Sequence, residues 1–193
     1  MKEIVVATTN KGKLKEISAM LEKLGIEVKS IKDVLGYNPD IEETGTTFTE
    51  NAVIKAETVM NMIHMPTLAD DSGLEVDAMD KKPGVYSARF LGEDTSYDIK
   101  NQYIIDQVKG KMRTARYVCV IAYIDEEGKE HVYRGECEGL IHDEMVGTNG
   151  FGYDPIFYYP EFKTTLANVS EEKKNSVSHR GVALEKFLKD WSK

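Results

Sequence analysis

The apolar run Met65-Pro66-Thr67-Leu68-Ala69 ends in two adjacent carboxylates, Asp70 and Asp71. The run reads as a buried strand, and neighbours on a strand point to opposite faces. Both acids can therefore serve one site only if the chain turns, and Ser72-Gly73 supply turn residues. Oxygen ligands on a stiff strand end suit Mg²⁺, which takes a few carboxylates together with water and phosphate oxygens. The same residues also suit an Asx turn, in which one acid accepts from nearby backbone N–H groups. The alternating Leu74-Glu75-Val76-Asp77 follows.

Around this stretch the chain alternates strands and helices. Glu3-Ile4-Val5-Val6-Ala7 is a β-branched run that breaks at Thr8-Thr9-Asn10-Lys11-Gly12-Lys13. A helix follows, with Leu14, Ile17, Leu21 and Leu24 on one face and Gly25 as its stop. A strand, a polar loop with two lysines and a helix N-terminus in succession form a natural phosphate site. The loop is not a Walker A, since position 7 is Ala and Leu14 follows Gly12-Lys13. A plain hydrophilic loop is the alternative. Ile26-Glu27-Val28-Lys29-Ser30-Ile31 reads as a strand beside the first. A second acid pair, Glu42-Glu43, precedes Thr44-Gly45 and is either a ligand set or a solvated loop. Thr47-Phe48-Thr49-Glu50 is a capping-box pattern opening a helix to about Ile63, with Phe48, Ala52, Ala56, Val59 and Ile63 inward and Lys55 near its start.

Pro83-Gly84 marks a turn, and Arg89 reads as a structural ion-pair partner. A helix over 96–108 places Ile99, Tyr103, Ile104 and Val108 inward. The apolar run 115–124 turns at Asp125-Glu126-Glu127-Gly128 and returns over 131–138 as a hairpin, which a further strand over 139–142 extends. The alternating polar residues of the return strand suit a solvated face or a subunit contact. Gly147-Thr148-Asn149-Gly150-Phe151-Gly152-Tyr153-Asp154-Pro155 is a glycine-rich aromatic loop, suited either to stacking on a base or to anchoring itself on the core. The stretch 170–181 carries Lys173, Lys174, His179 and Arg180 into a last helix that buries Leu184, Phe187, Leu188 and Trp191.

The 193 residues suffice for one domain or two closely joined lobes. No apolar run approaches the roughly 20 residues of a membrane helix, and the N-terminus enters a strand pattern without a signal peptide. Cys119 and Cys137 form no CxxC and read as reduced core residues of a cytoplasmic protein. A net charge of −8 argues against a nucleic-acid binder. It does not exclude a phosphate ligand, because screening confines distant charge to about 8–10 Å.

Together the segments 8–13, 42–45, 48–52, 69–74, 83–89, 150–157 and 178–181 closely resemble the Ham1-like nucleoside triphosphate pyrophosphatases, in the family's order and over almost the whole chain. The likeness is weakest over 91–146, and Asn168 stands where many relatives have Glu. The resemblance implies an α/β fold: an elongated mixed β-sheet with flanking helices, residues 1–193 forming one domain of two lobes with a central nucleotide cleft, and a homodimer. It also implies Mg²⁺-dependent cleavage of ITP, dITP and XTP to the monophosphate and pyrophosphate, cleansing the nucleotide pool. By motif match, Thr8, Thr9, Asn10, Lys11, Gly12 and Lys13 take the triphosphate. Glu42 and Asp71 take the metal, Asp71 is the proton acceptor, and Ser72 touches the substrate. Phe151, Gly152, Tyr153, Asp154, Lys174, His179 and Arg180 surround the nucleoside.

These residue types suit that chemistry. Phosphoryl transfer is mostly positioning and charge neutralisation, which Mg²⁺, Lys13 and Lys55 supply. Hypoxanthine and xanthine carry an acceptor oxygen at position 6 where adenine carries a donor. His179 and Arg180 can both donate, so they are matched to the oxo bases. A Maf-like pyrophosphatase and a catalytically silent nucleotide-binding protein are the alternatives.

Overall fold

A computed structural model describes residues 2–193. The strands are β1 (Glu3–Val6), β2 (Glu27–Ser30), β3 (Thr67–Val76), β4 (Lys82–Pro83), β5 (Thr114–Ile124), β6 (Glu130–Ile141), β7 (Phe157–Tyr159) and β8 (Thr164–Thr165). The helices are α1 (Lys11–Glu22), α2 (Ile31–Leu35), α3 (Phe48–Ile63), α4 (Tyr97–Gln107), α5 (Glu171–Asn175) and α6 (His179–Trp191). The sheet order is β2-β1-β3-β5-β6-β7-β8, with β4 on β3. β1 pairs parallel with both β2 and β3, whereas β4, β7 and β8 join antiparallel. This is the mixed α/β sheet with flanking helices that the sequence leads one to expect.

The chain divides into two compact units. The first takes the chain up to Asp71, Cys119–Gly135 and Arg180–Lys193; the second takes Ser72–Val118 and Glu136–His179. The first unit's core packs Ile4 and Val6 of β1, Ile17 and Leu21 of α1, Leu68 of β3, Ile121 of β5, and Leu184 and Phe187 of α6. The second unit's core packs Leu74 and Val76 of β3, Ile104 and Ile105 of α4, Tyr117, Cys137, Ile156 and Phe157. Both cysteines are free and buried, as their apolar settings imply.

Local chemistry explains the element starts. The Asn10 side chain accepts from Lys13 N at 3.1 Å and caps α1. Thr47 Oγ1 accepts from Glu50 N at 3.1 Å and caps α3, but Glu50 reaches back to Thr46 N at 2.6 Å, one residue beyond the reciprocal box.

Four further expectations change. β3 does not turn at Ser72-Gly73; it runs unbroken through Val76, and Leu74 N donates to Ser87 Oγ at 2.9 Å. α1 stops at Glu22, so Leu24 lies beyond the buried stripe and is 58% exposed. α4 is rotated from the expected face: Ile99 and Tyr103 are 59% and 40% exposed, while Lys100, Asn101, Ile104 and Ile105 face inward. Polar contacts made inside hold that rotation. Lys100 Nζ donates to Ala88 O at 2.9 Å and stands 4.7 Å over the Tyr97 ring, and Asn101 Nδ2 donates to Gly152 O at 3.2 Å. Finally, the segment 139–142 is no separate strand, since β6 continues to Ile141.

Candidate active site

In the first unit, residues 7–10 carry the chain from the end of β1 to the N-terminus of α1, with Thr9, Asn10 and Lys11 exposed and Thr8, Gly12 and Lys13 part-buried. Thr8 Oγ1 accepts from Asn10 N at 3.1 Å and shapes the loop. A loop of this kind presents N–H groups and a positive dipole end to an anion. Lys13 Nζ turns back to Asp70 Oδ1 at 2.9 Å.

Because β3 stays extended, Asp70 and Asp71 leave it on opposite faces. Asp70 is fully buried. Its Oδ2 accepts from Arg180 Nε and Nη2, both at 3.3 Å, and lies 3.4 Å from Cys119 Sγ. Burial alone would raise its pKa, but Lys13 first, then Arg180 and Lys55, hold it well below the usual carboxylate range. Arg180 is only 1% exposed, and its Nη1 also donates to Glu16 Oε2 at 2.5 Å.

Asp71 is 5% exposed. Its Oδ1 stands 3.9 Å from Lys55 Nζ, and its Oδ2 is buried without a hydrogen-bond partner. Lys55, from α3, is shared with Glu43, whose Oε1 lies at 3.3 Å. Burial, with Glu43 and Asp70 adding to it, pushes the Asp71 carboxyl up to about 6 against the pull of Lys55 and Lys13. Of the acid pair Glu42-Glu43, the one that meets Lys55 is Glu43, while Glu42 is exposed in the same loop.

Ser72 follows Asp71 on β3 and is part-buried. The second unit holds a separate cluster centred on Asp154. Its Oδ2 accepts from Lys174 Nζ at 2.6 Å and from Phe151 N at 3.0 Å, and its Oδ1 accepts from the Tyr117 hydroxyl at 3.0 Å. Gly150 makes room for it: φ is 68°, and a Cβ there would run into the Asp154 carboxylate. Lys174 Nζ also lies 4.7 Å from the centre of the part-buried Phe151 ring. His179 stacks on Tyr117 with centroids 4.4 Å apart and 12° between planes. The glycine-rich loop therefore combines its two sequence readings. Tyr153 is an anchor, buried and donating to Ser87 O at 2.5 Å, while Phe151 keeps part of its ring in the open. Gly152 contributes the carbonyl that Asn101 holds.

The structure thus brings Lys13, Lys55, Asp71 and Arg180 into one set of charge contacts and Phe151, Asp154, Lys174 and His179 into another. Arg180, read from sequence as a base contact, is engaged by Asp70 and Glu16. Glu16, Tyr117 and Cys119 were not read from the sequence as site residues, and of the pair Glu42-Glu43 only Glu42 was assigned to the metal. Glu16 carried a signal, standing beside Ile17 at the edge of the apolar stripe of α1; Tyr117 and Cys119 lie inside a nearly unbroken apolar run and carried none.

The donor set can be tested against Mg²⁺. Among the described residues, no group of three or more His, Cys, Asp or Glu is set to hold a metal. Mg²⁺ rarely uses such a cage; it takes one or two carboxylates and completes its shell with water and phosphate. A hard carboxylate oxygen lacking a hydrogen-bond partner, Asp71 Oδ2, fits that demand.

An α/β sheet that sets a helix-entry lysine loop beside buried carboxylates defines a phosphate-handling class of protein. More particularly, the chain belongs to the Ham1 family, whose profile matches residues 4–190. It is 47% identical over 193 residues to a dITP/XTP pyrophosphatase of Listeria monocytogenes, covering 98% of this chain and 95% of that one. It is 48% identical over 189 residues to a dITP/XTP pyrophosphatase of Desulforamulus reducens, covering 96% and 94%. Among solved structures, a HAM1 protein from Coxiella burnetii superposes with a TM-score of 0.89 at 40% identity, over 100% of this chain and 99% of that chain. The Staphylococcus aureus Ham1 protein gives 0.87 at 38% identity, over 99% and 98%.

Proposed function

We propose that this chain hydrolyses non-canonical purine nucleoside triphosphates, ITP, dITP and XTP, to the monophosphate and pyrophosphate, and so cleanses the nucleotide pool of the cytoplasm. The observation that carries the reading is Asp71: a buried carboxylate raised to about 6, with one oxygen unpartnered and Lys55 beside the other. The names of the relatives support the substrate class.

In the proposed reaction, the loop from Thr8 to Lys13 takes the triphosphate at the N-terminus of α1. Lys13 and Lys55 neutralise charge that spreads over the phosphate oxygens as the α–β bridge breaks. Asp71 is ionised at neutral pH yet basic enough to accept a proton, so its carboxylate takes the proton of the attacking water. Pyrophosphate leaves with the electron pair of the broken P–O bond. Asp71 and Glu42 would hold Mg²⁺, which would supply Lewis-acid polarisation of the phosphate oxygens. Ser72, Phe151, Gly152, Asp154, Lys174 and His179 take the nucleoside, with Phe151 offering the ring face and His179 a donor for the 6-oxo group. Tyr153 holds that loop in place. Arg180 acts one step away, fixing Asp70 and, through it, Lys13. The same reading includes a homodimer, which sedimentation velocity tests.

Pyrophosphate release from ITP, dITP, XTP, ATP, GTP and dTTP, with and without Mg²⁺, tests the proposal. Mg²⁺-dependent release from the first three over ATP supports it. Preference for dTTP would instead indicate a Maf-like enzyme, and tight ITP binding without release a silent binding protein.

A further inference from the structure

The first unit contains a cavity of about 210 Å³ that shares no lining residue with the acids and lysines described above. Its walls are aromatic. Tyr123, Tyr133, Phe187 and Trp191 line it, and the rings meet largely edge to face: Tyr123 on Phe187 at 5.1 Å, Tyr123 on Trp191 at 5.7 Å, and Tyr133 on Phe187 at 5.7 Å. Such packing turns some ring faces, the electron-rich side of each quadrupole, toward neighbouring space.

The polar lining is acidic. Asp125, Glu126 and Asp190 stand against one ammonium, that of Lys2, and His131. His131 Nε2 is bound to Asp125 Oδ2 at 2.8 Å. Asp190 receives Lys193 Nζ at 2.9 Å and the Tyr133 hydroxyl. The chain itself displays the chemistry such a chamber favours, since Lys2 Nζ sits 4.7 Å from the centre of the Trp191 ring. An ammonium over the face of an indole is the best of the cation–π pairings. Ring faces and carboxylates in one lining satisfy both halves of an organic cation: apolar surface for the alkyl groups, negative potential for the charge.

We propose that this cavity is a binding site for a small alkylammonium ion, with the Lys2 side chain as its intramolecular competitor. The volume is below that of drug-sized pockets, which sets the ligand at the size of a methylated amine. The site lies at the far end of α6 from Arg180, roughly 16 Å along the helix axis at 1.5 Å per residue. Occupancy therefore leaves the phosphate-handling residues in place.

The indole N–H of Trp191, the chain's single tryptophan, reports on the site directly. The full chain is titrated with tetramethylammonium, and with tert-butanol as a neutral mimic of similar shape, while the indole resonance is followed by NMR. The expected result is a saturable shift with tetramethylammonium and none with tert-butanol. Asp190→Asn should weaken binding about fivefold, the range of a partly exposed charge. Lys2→Gln should tighten it about threefold by removing the competitor, an effect that a purely structural Lys2–Trp191 contact does not predict. Both variants should release pyrophosphate from ITP at the wild-type rate, which separates this site from the reaction. Equal shifts with the two probes, no saturable shift at high millimolar tetramethylammonium, or weaker binding in Lys2→Gln would overturn the proposal.

Discussion

On one face of β3, Asp70 is met by Lys13, by Arg180 and by the thiol of Cys119; on the other, Asp71 meets Lys55 at 3.9 Å, a lysine it shares with Glu43, and keeps one oxygen unpartnered. The two residues are chemically identical, adjacent and both buried. Burial pushes each pKa upward, and the supply of cations decides the outcome. Asp70 is held far below the ordinary range and stays a fixed anion, whereas Asp71 sits near 6 and can exchange a proton. A strand that alternates faces thus places one acid in a structural network and the next within reach of chemistry. Asp154 in the second unit resembles Asp70, its two oxygens taken up by Lys174, Tyr117 and a backbone N–H.

The largest expected effect comes from removing the exchangeable acid. Asp71→Asn should lower pyrophosphate release at saturating Mg²⁺ by about 10²–10⁴-fold, the usual contribution of a positioned general base. Near-normal turnover in this variant would move the proton-accepting role to another carboxylate and end the functional contrast between the two faces.

Next in size is the structural face. Arg180→Leu leaves Asp70 and Glu16 buried beside one another without their shared guanidinium. Breaking a buried pair in this way costs about 3–5 kcal/mol, read as a shift in the urea unfolding curve. Adding Glu16→Gln should recover part of the loss, because it withdraws one of the stranded charges. A stability loss below about 1 kcal/mol would show that the network contributes no more than an exposed ion pair.

These two faces also mark what the sequence disclosed. The elements were legible because apolar periodicity, Thr47 as a cap, and the adjacent acids are local signals. The turn at Ser72-Gly73 was misread because small residues permit a turn without requiring one, and pairing with β4 and the Ser87 hydroxyl keep the strand extended. The face of α4 was misread because Lys100 and Asn101 look like solvent residues until their partners, Ala88 O and Gly152 O, are brought to them by tertiary contacts. Arg180 shows the same limit: its motif match and its donor-only guanidinium suggested a base contact, and only folding reveals Glu16, 164 positions earlier in the chain, as its partner. Motifs identified which residues matter, but the division of labour between Asp70 and Asp71 depends on cations arriving from α1, α3 and α6.

The subtlest way to sharpen the contrast is pH. A carboxyl with a raised native pKa holds its proton more tightly in the folded chain than in the unfolded one. Its contribution is therefore fully present below the unfolded value near 4 and is lost as pH rises through about 6. For Asp71 this amounts to about 2–3 kcal/mol in the metal-free protein. Asp70 has the opposite sign: its contribution is present above about pH 4 and is lost only as pH falls well below the ordinary range, so it stays constant across the same window. Urea denaturation of wild type and Asp71→Asn, in chelator and at several pH values between about 4 and 7, separates the two. The variant should gain on the wild type steadily with rising pH and end as the more stable protein at neutrality, although it is the less active. Parallel curves would mean that Asp71 is as well compensated in the folded chain as Asp70, and that no poised carboxyl distinguishes the second face of β3.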